Sequence, residues 1–257
     1  MKSKLIILGC GSSLGVPRAD GYWGKCSFKN KKNLRTRCSA IIIKGSNSVL
    51  IDTSPDLRMQ LVSNKIKNIS SVVLTHEHAD QTNGLFELRP FYWINKKRIN
   101  VYGNFKTINH LKKRQDYLFK KISTYPPIVK AHIANKKFSL GSKNEKISFT
   151  TINAKHGATR SLIYIFEKTA YIADCNDLSI VKFKELKNLH YLVIDCLKIE
   201  EHPSHFNLDQ ALFIQRYLRP KKTILTNMHH DLDYNKLLKK LPKNVIPAHD
   251  GLELNLV

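Results

Sequence analysis

Short apolar runs recur along the chain, and each has the length and the β-branched content of a single strand. The predicted strands are 4–8, 40–44, 48–52, 71–75, 99–102, 146–152, 161–167, 171–173, 191–194 and 223–225. Apolar positions at helical spacing occupy several of the intervals between them. The predicted helices are 56–64, 105–120, 208–218 and 234–241, and the last two end before Pro220 and Pro242. Strands in meanders with interposed helices predict a layered α/β arrangement.

The length of the chain and its apolar runs narrow the class of protein. At 257 residues the chain can bury a substantial core, and we expect a single domain over residues 1–257. The apolar run 5–8 is too brief for the hydrophobic part of an export signal. No stretch approaches the roughly 18 apolar residues of a membrane span. We therefore expect a soluble, cytoplasmic protein without a membrane partner.

The cysteines favour a reducing compartment. The chain has five of them, an odd number with no Cys-x-x-Cys pair, which argues against a disulfide framework and against a thiolate zinc site. They are Cys10, Cys26, Cys38, Cys175 and Cys196.

The chain is strongly basic, with a formal net charge of +23. A field of this size attracts nucleic acid or phosphorylated metabolites. Most of the cations are lysines spread along the whole chain, however, and a solvated surface explains them more economically than a dedicated phosphate site. The aperiodic segment 15–37 is rich in cations and carries Tyr22 and Trp23, and a loop this long is usually functional or mobile.

The segment that follows strand 71–75 carries the chemistry. Residues two apart in an extended segment point the same way, so His76 and His78 can present their imidazoles to one point. Asp80 comes next, where the chain turns into a helix. Imidazole and carboxylate are the ligands that a divalent ion such as zinc or manganese accepts. The pattern predicts a metal site.

With its strand, His-x-His-x-Asp motif and following Asn83-Gly84, the chain resembles the metallo-β-lactamase superfamily. The resemblance implies a four-layer αββα sandwich of the α/β class. It also implies that His156, in the segment Ala-Lys-His-Gly, is the third histidine ligand. Asp174, at the end of Tyr-Ile-Ala-Asp, matches the aspartate that bridges two metal ions in the family.

Within that superfamily the chain resembles the cyclic phosphodiesterases of phosphonate degradation, on residues 9–17, 37–39 and 250–253. The resemblance implies a metal-dependent phosphodiesterase acting on a cyclic or nucleotide-like phosphodiester. Water activated at the metal centre would attack the phosphorus, oriented by Asp80 or Asp174. The resemblance also implies that His205 assists phosphate binding or protonates the leaving oxygen. The segment around His205 also reads as a capped helix entry without chemistry.

Two positions depart from the family pattern, and both would serve the second metal ion. Gln81 and Asn227 stand where the family usually has histidines, which leaves His229 as a further candidate ligand. Amide oxygens are harder donors than imidazole, so the second site should bind more weakly or prefer manganese or magnesium over zinc. We expect one or two divalent ions, zinc or manganese. We expect no structural zinc, because the long loop has only Cys26.

Two other functions remain open from the sequence. One is a tRNA 3′-processing-type endonuclease, and the other is a catalytically weakened, nucleotide-binding member of the fold. The expected partner is a small phosphorylated substrate or nucleotide, with nucleic acid and a second copy of the chain as further candidates. Several arginines are candidates for holding a phosphate group. They are Arg37, Arg58, Arg89 and Arg160.

Overall fold

Two seven-stranded sheets form the centre of the computed structural model, which describes residues 2–257. In sheet order, the first contains β14 (Leu252–Asn255), β1 (Ser3–Gly9), β2 (Ser39–Lys44), β3 (Asn47–Ile51), β4 (Ser71–Val73), β5 (Ile99–Gly103) and β6 (Val129–Ile133). The second contains β13 (Val245–Pro247), β12 (Lys222–Thr226), β11 (Tyr191–Asp195), β10 (Thr169–Ile172), β9 (Thr159–Phe166), β8 (Ile147–His156) and β7 (Lys137–Leu140).

Six helices accompany the sheets. They are α1 (Leu57–Ser63), α2 (Ala79–Thr82), α3 (Arg89–Asn95), α4 (Phe105–Arg114), α5 (Leu208–Leu218) and α6 (Tyr234–Leu238). Short 3-10 turns complete the connections. Among residues 2–257, no helix is both long enough and apolar enough to cross a membrane.

The alternation of side chains along β1 shows how the layers arise. Leu5 and Ile7 point into a large core between the two sheets, whereas Ile6 and Leu8 point into a second core on the outer face. Ile108 of α4 closes that outer core. On the other side of the molecule, α5 packs against the second sheet through Ile214. The four-layer αββα sandwich is therefore confirmed.

Each sheet contains a run of parallel strands, and these runs position the functional residues. Strands β3 to β6 are mutually parallel in the first sheet, and β10 to β13 are parallel in the second. The carboxyl ends of parallel strands meet at one edge of a sheet. Polar residues follow several of these ends: Asp52, His76 and Asn104 in the first sheet, and Asp174, Asp195 and Asn227 in the second.

The structure corrects several predicted boundaries. The predicted helix 105–120 ends at Arg114, where the chain leaves helical geometry at Gln115 and forms a separate 3-10 turn. The predicted helix 234–241 likewise ends at Leu238. Strand β8 is longer than the predicted 146–152, so that His156 is its last residue.

Candidate metal centre

His76 is held in place by a chain of hydrogen bonds that begins at Asp52. The carboxylate of Asp52 accepts the backbone N–H of Thr75 at 2.7 Å and the Thr75 hydroxyl at 2.9 Å. Because that hydroxyl donates to Asp52, it accepts from Nδ1 of His76, 3.0 Å away. Nε2 of His76 is left buried and without a hydrogen-bond partner among the described residues. This atom is therefore available to a metal ion.

Three imidazoles converge at this point. The ring centroids of His76 and His78 are 4.4 Å apart. The ring centroid of His156 lies 4.8 Å from that of His76 and 5.0 Å from that of His78. Nδ1 of His78 lies 3.3 Å from Nε2 of His156. His156 donates from its Nδ1 to the carbonyl oxygen of Ser204 at 2.7 Å, which leaves its Nε2 unprotonated when the ring is neutral.

The electrostatics of the cluster keep two of these rings neutral. Burial lowers the pKa of His76 well below its ordinary value, and the neighbouring imidazoles lower it further. Burial also lowers the pKa of His156, to about 4, and His205 contributes in the same direction. Neutral imidazoles with free ring nitrogens are the form in which histidine binds a metal ion.

Asp174, which follows a strand of the second sheet, lies beside one of these imidazoles. Its Oδ1 lies 3.9 Å from Nε2 of His156, and its Oδ2 is buried without a hydrogen-bond partner in the described chain. Burial raises the pKa of this carboxyl well above its usual range. A buried carboxylate oxygen without a partner is costly unless a proton or a cation satisfies it. Three nitrogens and one oxygen suit zinc or manganese, so the residues fit the ion.

The side of the centre where the second ion would lie is built differently. Nδ2 of Asn227 donates to Oδ1 of Asp174 at 3.3 Å and to Oδ1 of Asp195 at 3.1 Å. Nε2 of Gln81 donates to Asp80 at 3.2 Å, while its Oε1 is buried without a partner among residues 2–257. Amide N–H groups therefore satisfy much of the carboxylate charge that a second cation would otherwise balance.

His205 forms a buried ion pair at the same place. Its Nδ1 donates to Oδ2 of Asp195 at 2.8 Å and lies 3.6 Å from Oδ1 of Asp174. Burial by itself would lower the pKa of His205, but the two carboxylates outweigh it and raise the pKa to about 9. The N-cap of α5 is Asn207, which forms a capping box with Gln210, so the helix start does not depend on His205.

His205 faces a cavity of about 230 Å³ that also contains Asp80, Asn227 and His229. The other lining residues are Ser12, Ser13, Leu14, Leu197, Lys198 and His202. His229 shares the cavity, but its Nδ1 donates to Asp231 at 2.9 Å, and its ring stacks on His230 rather than joining the three converging imidazoles.

The long basic loop is fixed to this region by a buried guanidinium. Arg35, which is 2% exposed, donates to the carbonyl oxygens of Leu232 at 2.7 Å and His229 at 3.3 Å, and it lies 3.9 Å from the sulfur of Cys26. Tyr22 packs edge-on against His230. Neither Tyr22 nor Trp23 lines the cavity of His205.

The four arginines considered from the sequence lie in different places. Arg37 pairs with Asp56 at 2.7 Å and also donates to the carbonyl oxygen of Ser13, at the cavity wall. Arg89 lies over aromatic rings on the outer face of the first sheet. Arg160 lines a separate cavity. The structure describes no ion pair for Arg58.

Sequence reasoning missed two carboxylates of this centre, Asp52 and Asp195. Asp52 follows an apolar strand directly, and Asp195 is the last residue of one, much as Asp174 follows Tyr-Ile-Ala. An aspartate at the carboxyl end of a buried strand was the available signal. Lys198, which lines the cavity, follows Asp195 by three residues and had no distinguishing pattern around it.

Three converging imidazoles and a buried carboxylate, placed where two sheets meet in an αββα sandwich, define a metal-dependent hydrolase of the metallo-β-lactamase fold. The chain belongs to the beta-lactamase superfamily domain family, whose model matches residues 47–229. The prediction of the superfamily is confirmed.

Similar solved structures extend the comparison over the whole chain. A diphosphatase from the PhnP family is 33% identical with a TM-score of 0.88, covering 100% of this chain and 98% of that one. Zinc-bound PqqB from Methylobacterium extorquens is 16% identical with a TM-score of 0.79, covering 98% and 100%. Human tRNase Z, short form, is 15% identical with a TM-score of 0.69, covering 99% of each chain. The last two show the fold alone.

One curated relative matches most of the chain. The octanoyltransferase of Porphyromonas gingivalis is 30% identical over 253 residues, which are 97% of this chain and 51% of that protein. The chain therefore spans about half the length of this relative.

Proposed function

We propose that the protein hydrolyses a phosphodiester of a small phosphorylated molecule, cyclic or nucleotide-like. The observation that carries the proposal is the buried pair of His205 and Asp195, which points a proton-bearing imidazole into the cavity beside the histidine cluster. A departing alkoxide needs a proton, and an anionic phosphoryl group is favoured by a nearby cation. The similarity to a PhnP-family diphosphatase supports chemistry at phosphorus.

The ligand atoms follow from the contacts. His76 would bind an ion through Nε2, His78 through Nδ1, His156 through Nε2, and Asp174 through its unpartnered Oδ2. A divalent ion held by these residues would lower the pKa of bound water from about 15.7 to about 7 and would offset phosphoryl charge. Asp52, acting through Thr75, and the carbonyl of Ser204 keep the first and third rings in orientation.

Asp80 and His205 both line the cavity and would act on the reacting groups there. Asp80 orients the attacking water by accepting its hydrogen bond. His205 donates the proton on its Nε2 to the leaving oxygen, while Asp195 holds Nδ1 and stabilises the charged ring. This assignment uses the two residues as an acceptor and a donor of protons, as an in-line displacement at phosphorus requires.

We expect one tightly bound ion in the histidine cluster and a second, weaker one. The second would find oxygen donors in Asp80, Asp174 and Oε1 of Gln81. It would have to displace the amide hydrogen bonds of Asn227 to reach the shared carboxylate. Its affinity should therefore be lower than that of the first ion, and manganese suits its oxygen donors better than zinc.

Hydrolysis of a diphosphate is the second candidate function, because the 33% identical relative is a diphosphatase. The same residues would serve it, since attack is again at phosphorus. The leaving group is then a phosphate, which departs more easily than an alkoxide and depends less on the proton from His205. The two functions therefore differ in how much His205 contributes.

The test compares the p-nitrophenyl and methyl esters of thymidine 5′-monophosphate, which differ only in the leaving group. His205→Ala should slow hydrolysis of the methyl ester on the order of 100-fold, because methoxide needs a proton. The p-nitrophenyl ester should slow only a few-fold, because p-nitrophenolate leaves unprotonated. His229→Ala, in the same cavity, is the matched control and should leave the ratio of the two rates unchanged.

Equal slowing of both esters by His205→Ala would remove His205 as the acid. Turnover of ADP but of neither ester by the metal-loaded wild type would replace the phosphodiester with a diphosphate. Binding of nucleotides without any turnover would identify a catalytically weakened member of the fold.

A further inference from the structure

A second and larger cavity, of about 780 Å³, lies at the same edge of the first sheet as the metal centre. Asn104 and Phe105 follow the carboxyl end of β5, and Ile133 ends the neighbouring parallel strand β6. Because β4 is parallel to β5 and leads to His76, the cavity and the histidine cluster are neighbours along this edge.

Glu77 links the cavity wall to the metal centre. It lies between His76 and His78 in the chain, and its carboxylate pairs with Lys106 at 2.6 Å and accepts the hydroxyl of Thr159 at 2.7 Å. Lys106 and Thr159 both line the cavity. Thr159 is also the register partner of His156 across the β8–β9 hairpin. A molecule in the cavity therefore lies directly behind residues that hold the proposed metal ligands.

The charges in the cavity favour an anion. Lys106 is paired with Glu77, and Lys136 is paired with Glu185 at 3.4 Å. Arg160 also lines the cavity, and in the described part of the chain no carboxylate pairs with it. Two balanced pairs and one unbalanced guanidinium give the cavity a net positive charge, and guanidinium groups bind phosphate through paired hydrogen bonds.

The same cavity carries apolar side chains that are unusually open to solvent. Phe105 is 70% exposed, Ile133 is 48% exposed and Phe183 is 38% exposed. All three line the cavity, so it offers exposed apolar surface as well as cations. Aromatic rings next to an arginine are typical of sites that stack a nucleobase and hold its phosphate.

We propose that this cavity binds a nucleoside monophosphate, with its base on Phe105 and Phe183 and its phosphate group at Arg160. The cavity shares no lining residue with the cavity of His205, so this is a binding site apart from the reacting centre. The volume of the cavity suits one or two nucleotides, which favours a small nucleotide over an extended RNA strand. The exposed amide of Asn153 on its wall offers a donor and an acceptor to a base edge.

The experiment measures binding by isothermal titration calorimetry, on zinc-loaded protein, of AMP, ribose 5-phosphate and adenosine. Phe105→Ala should weaken AMP about tenfold and leave ribose 5-phosphate unchanged, because only AMP carries a base to stack. Arg160→Ala should weaken AMP about fivefold and leave adenosine unchanged, because adenosine lacks the phosphate. Phe213→Ala and Arg216→Ala, at exposed residues of α5 that do not line this cavity, are the matched controls and should bind all three ligands as the wild type does.

Unchanged AMP affinity in both cavity variants would overturn the proposal, and so would equal losses for AMP and ribose 5-phosphate in Phe105→Ala. Loss of binding to an RNA hairpin without loss of AMP binding would assign the cavity to RNA and also overturn it. These binding data are independent of turnover. Hydrolysis of the two thymidine esters with no effect of Phe105→Ala or Arg160→Ala on AMP would leave the proposed function intact and remove only the nucleoside site.

Discussion

The two halves of the candidate metal centre differ in how their buried polar groups are partnered. In the histidine half, formed by His76, His78 and His156, the neutral rings of His76 and His156 offer lone pairs, and a buried nitrogen of His76 is left without a partner among the described residues. In the amide half, formed by Gln81 and Asn227, N–H groups donate to the carboxylates instead. The first arrangement leaves a buried nitrogen that a cation could satisfy, whereas in the second the amide N–H groups already have partners, although Oε1 of Gln81 does not. We therefore expect ligand chemistry, rather than position in the fold, to make the first site tight and the second weak.

Support from surrounding residues follows the same division. The histidine half is anchored by the Asp52–Thr75 pair and by the carbonyl of Ser204, which fix two rings before any ion binds. Burial raises the pKa of Asp52 to about 8, opposed by its hydrogen bonds with Thr75. Beside the amide half, the positive charge of His205 offsets the negative charges of Asp195 and Asp174. A cationic side chain thus stands close to where the second ion would bind.

The largest loss of metal binding and activity should come from removing a candidate ligand of the histidine half. His76→Ala removes the nitrogen that is poised for the ion, so we expect the protein to lose its tightly bound metal and its activity to fall on the order of 1,000-fold. Elemental analysis of the purified variant and its rate on the p-nitrophenyl ester measure the two effects. His110→Ala, on α4, is the control and should keep both.

Retention of a full equivalent of metal by His76→Ala would show that the ion is held elsewhere. The group His229, His230 and Asp231 would then be the place to look, because its ligand atoms also lie within 4.8 Å of one another.

The second prediction concerns replacement of the two amide side chains of the amide half by imidazoles. In the double variant Gln81→His/Asn227→His, two imidazoles replace two amides, and we expect the second zinc ion to bind about 10- to 100-fold more tightly. Zinc titration followed by calorimetry should show two tight equivalents in place of one. Each single variant should show a smaller gain. A double variant that still binds one tight equivalent would mean that His205, not the amides, excludes the second ion.

The sequence predicted the inner strands of the two sheets better than their edge strands. All ten predicted strands exist, and the four that were missed, β6, β7, β13 and β14, are the outermost strands of the two sheets. An edge strand is paired on one side only and is partly exposed, so its sequence lacks a continuous apolar run. In β6, for example, Val129 is buried while Lys130 and Ile133 are exposed.

At the candidate metal centre, local sequence patterns predicted the candidate ligands that are close together in the chain. They did not predict the residues that hydrogen-bond to the site from distant parts of the chain. The alternation of His76 and His78 is a property of one strand end and was readable directly. Family resemblance was needed to join His156 and Asp174 to them. Asp195 could not be placed against His205 from the sequence, because their contact depends on how a strand end and a later loop meet in space.

The smallest expected effect tests the role of the charged His205 side chain, which lies beside the amide half. Asp195→Asn keeps the shape of the side chain but removes the charge that raises the pKa of His205, so that pKa should fall. An acid catalyst works only while protonated, so the decline of kcat for the methyl ester at high pH should begin at a lower pH than in the wild type. Asp231→Asn is the matched control, because Asp231 accepts from His229 at 2.9 Å, nearly the 2.8 Å of the Asp195–His205 pair. A decline that moves in Asp231→Asn and stays in place in Asp195→Asn would make His229 the proton donor and transfer the catalytic role to the other imidazole of the cavity.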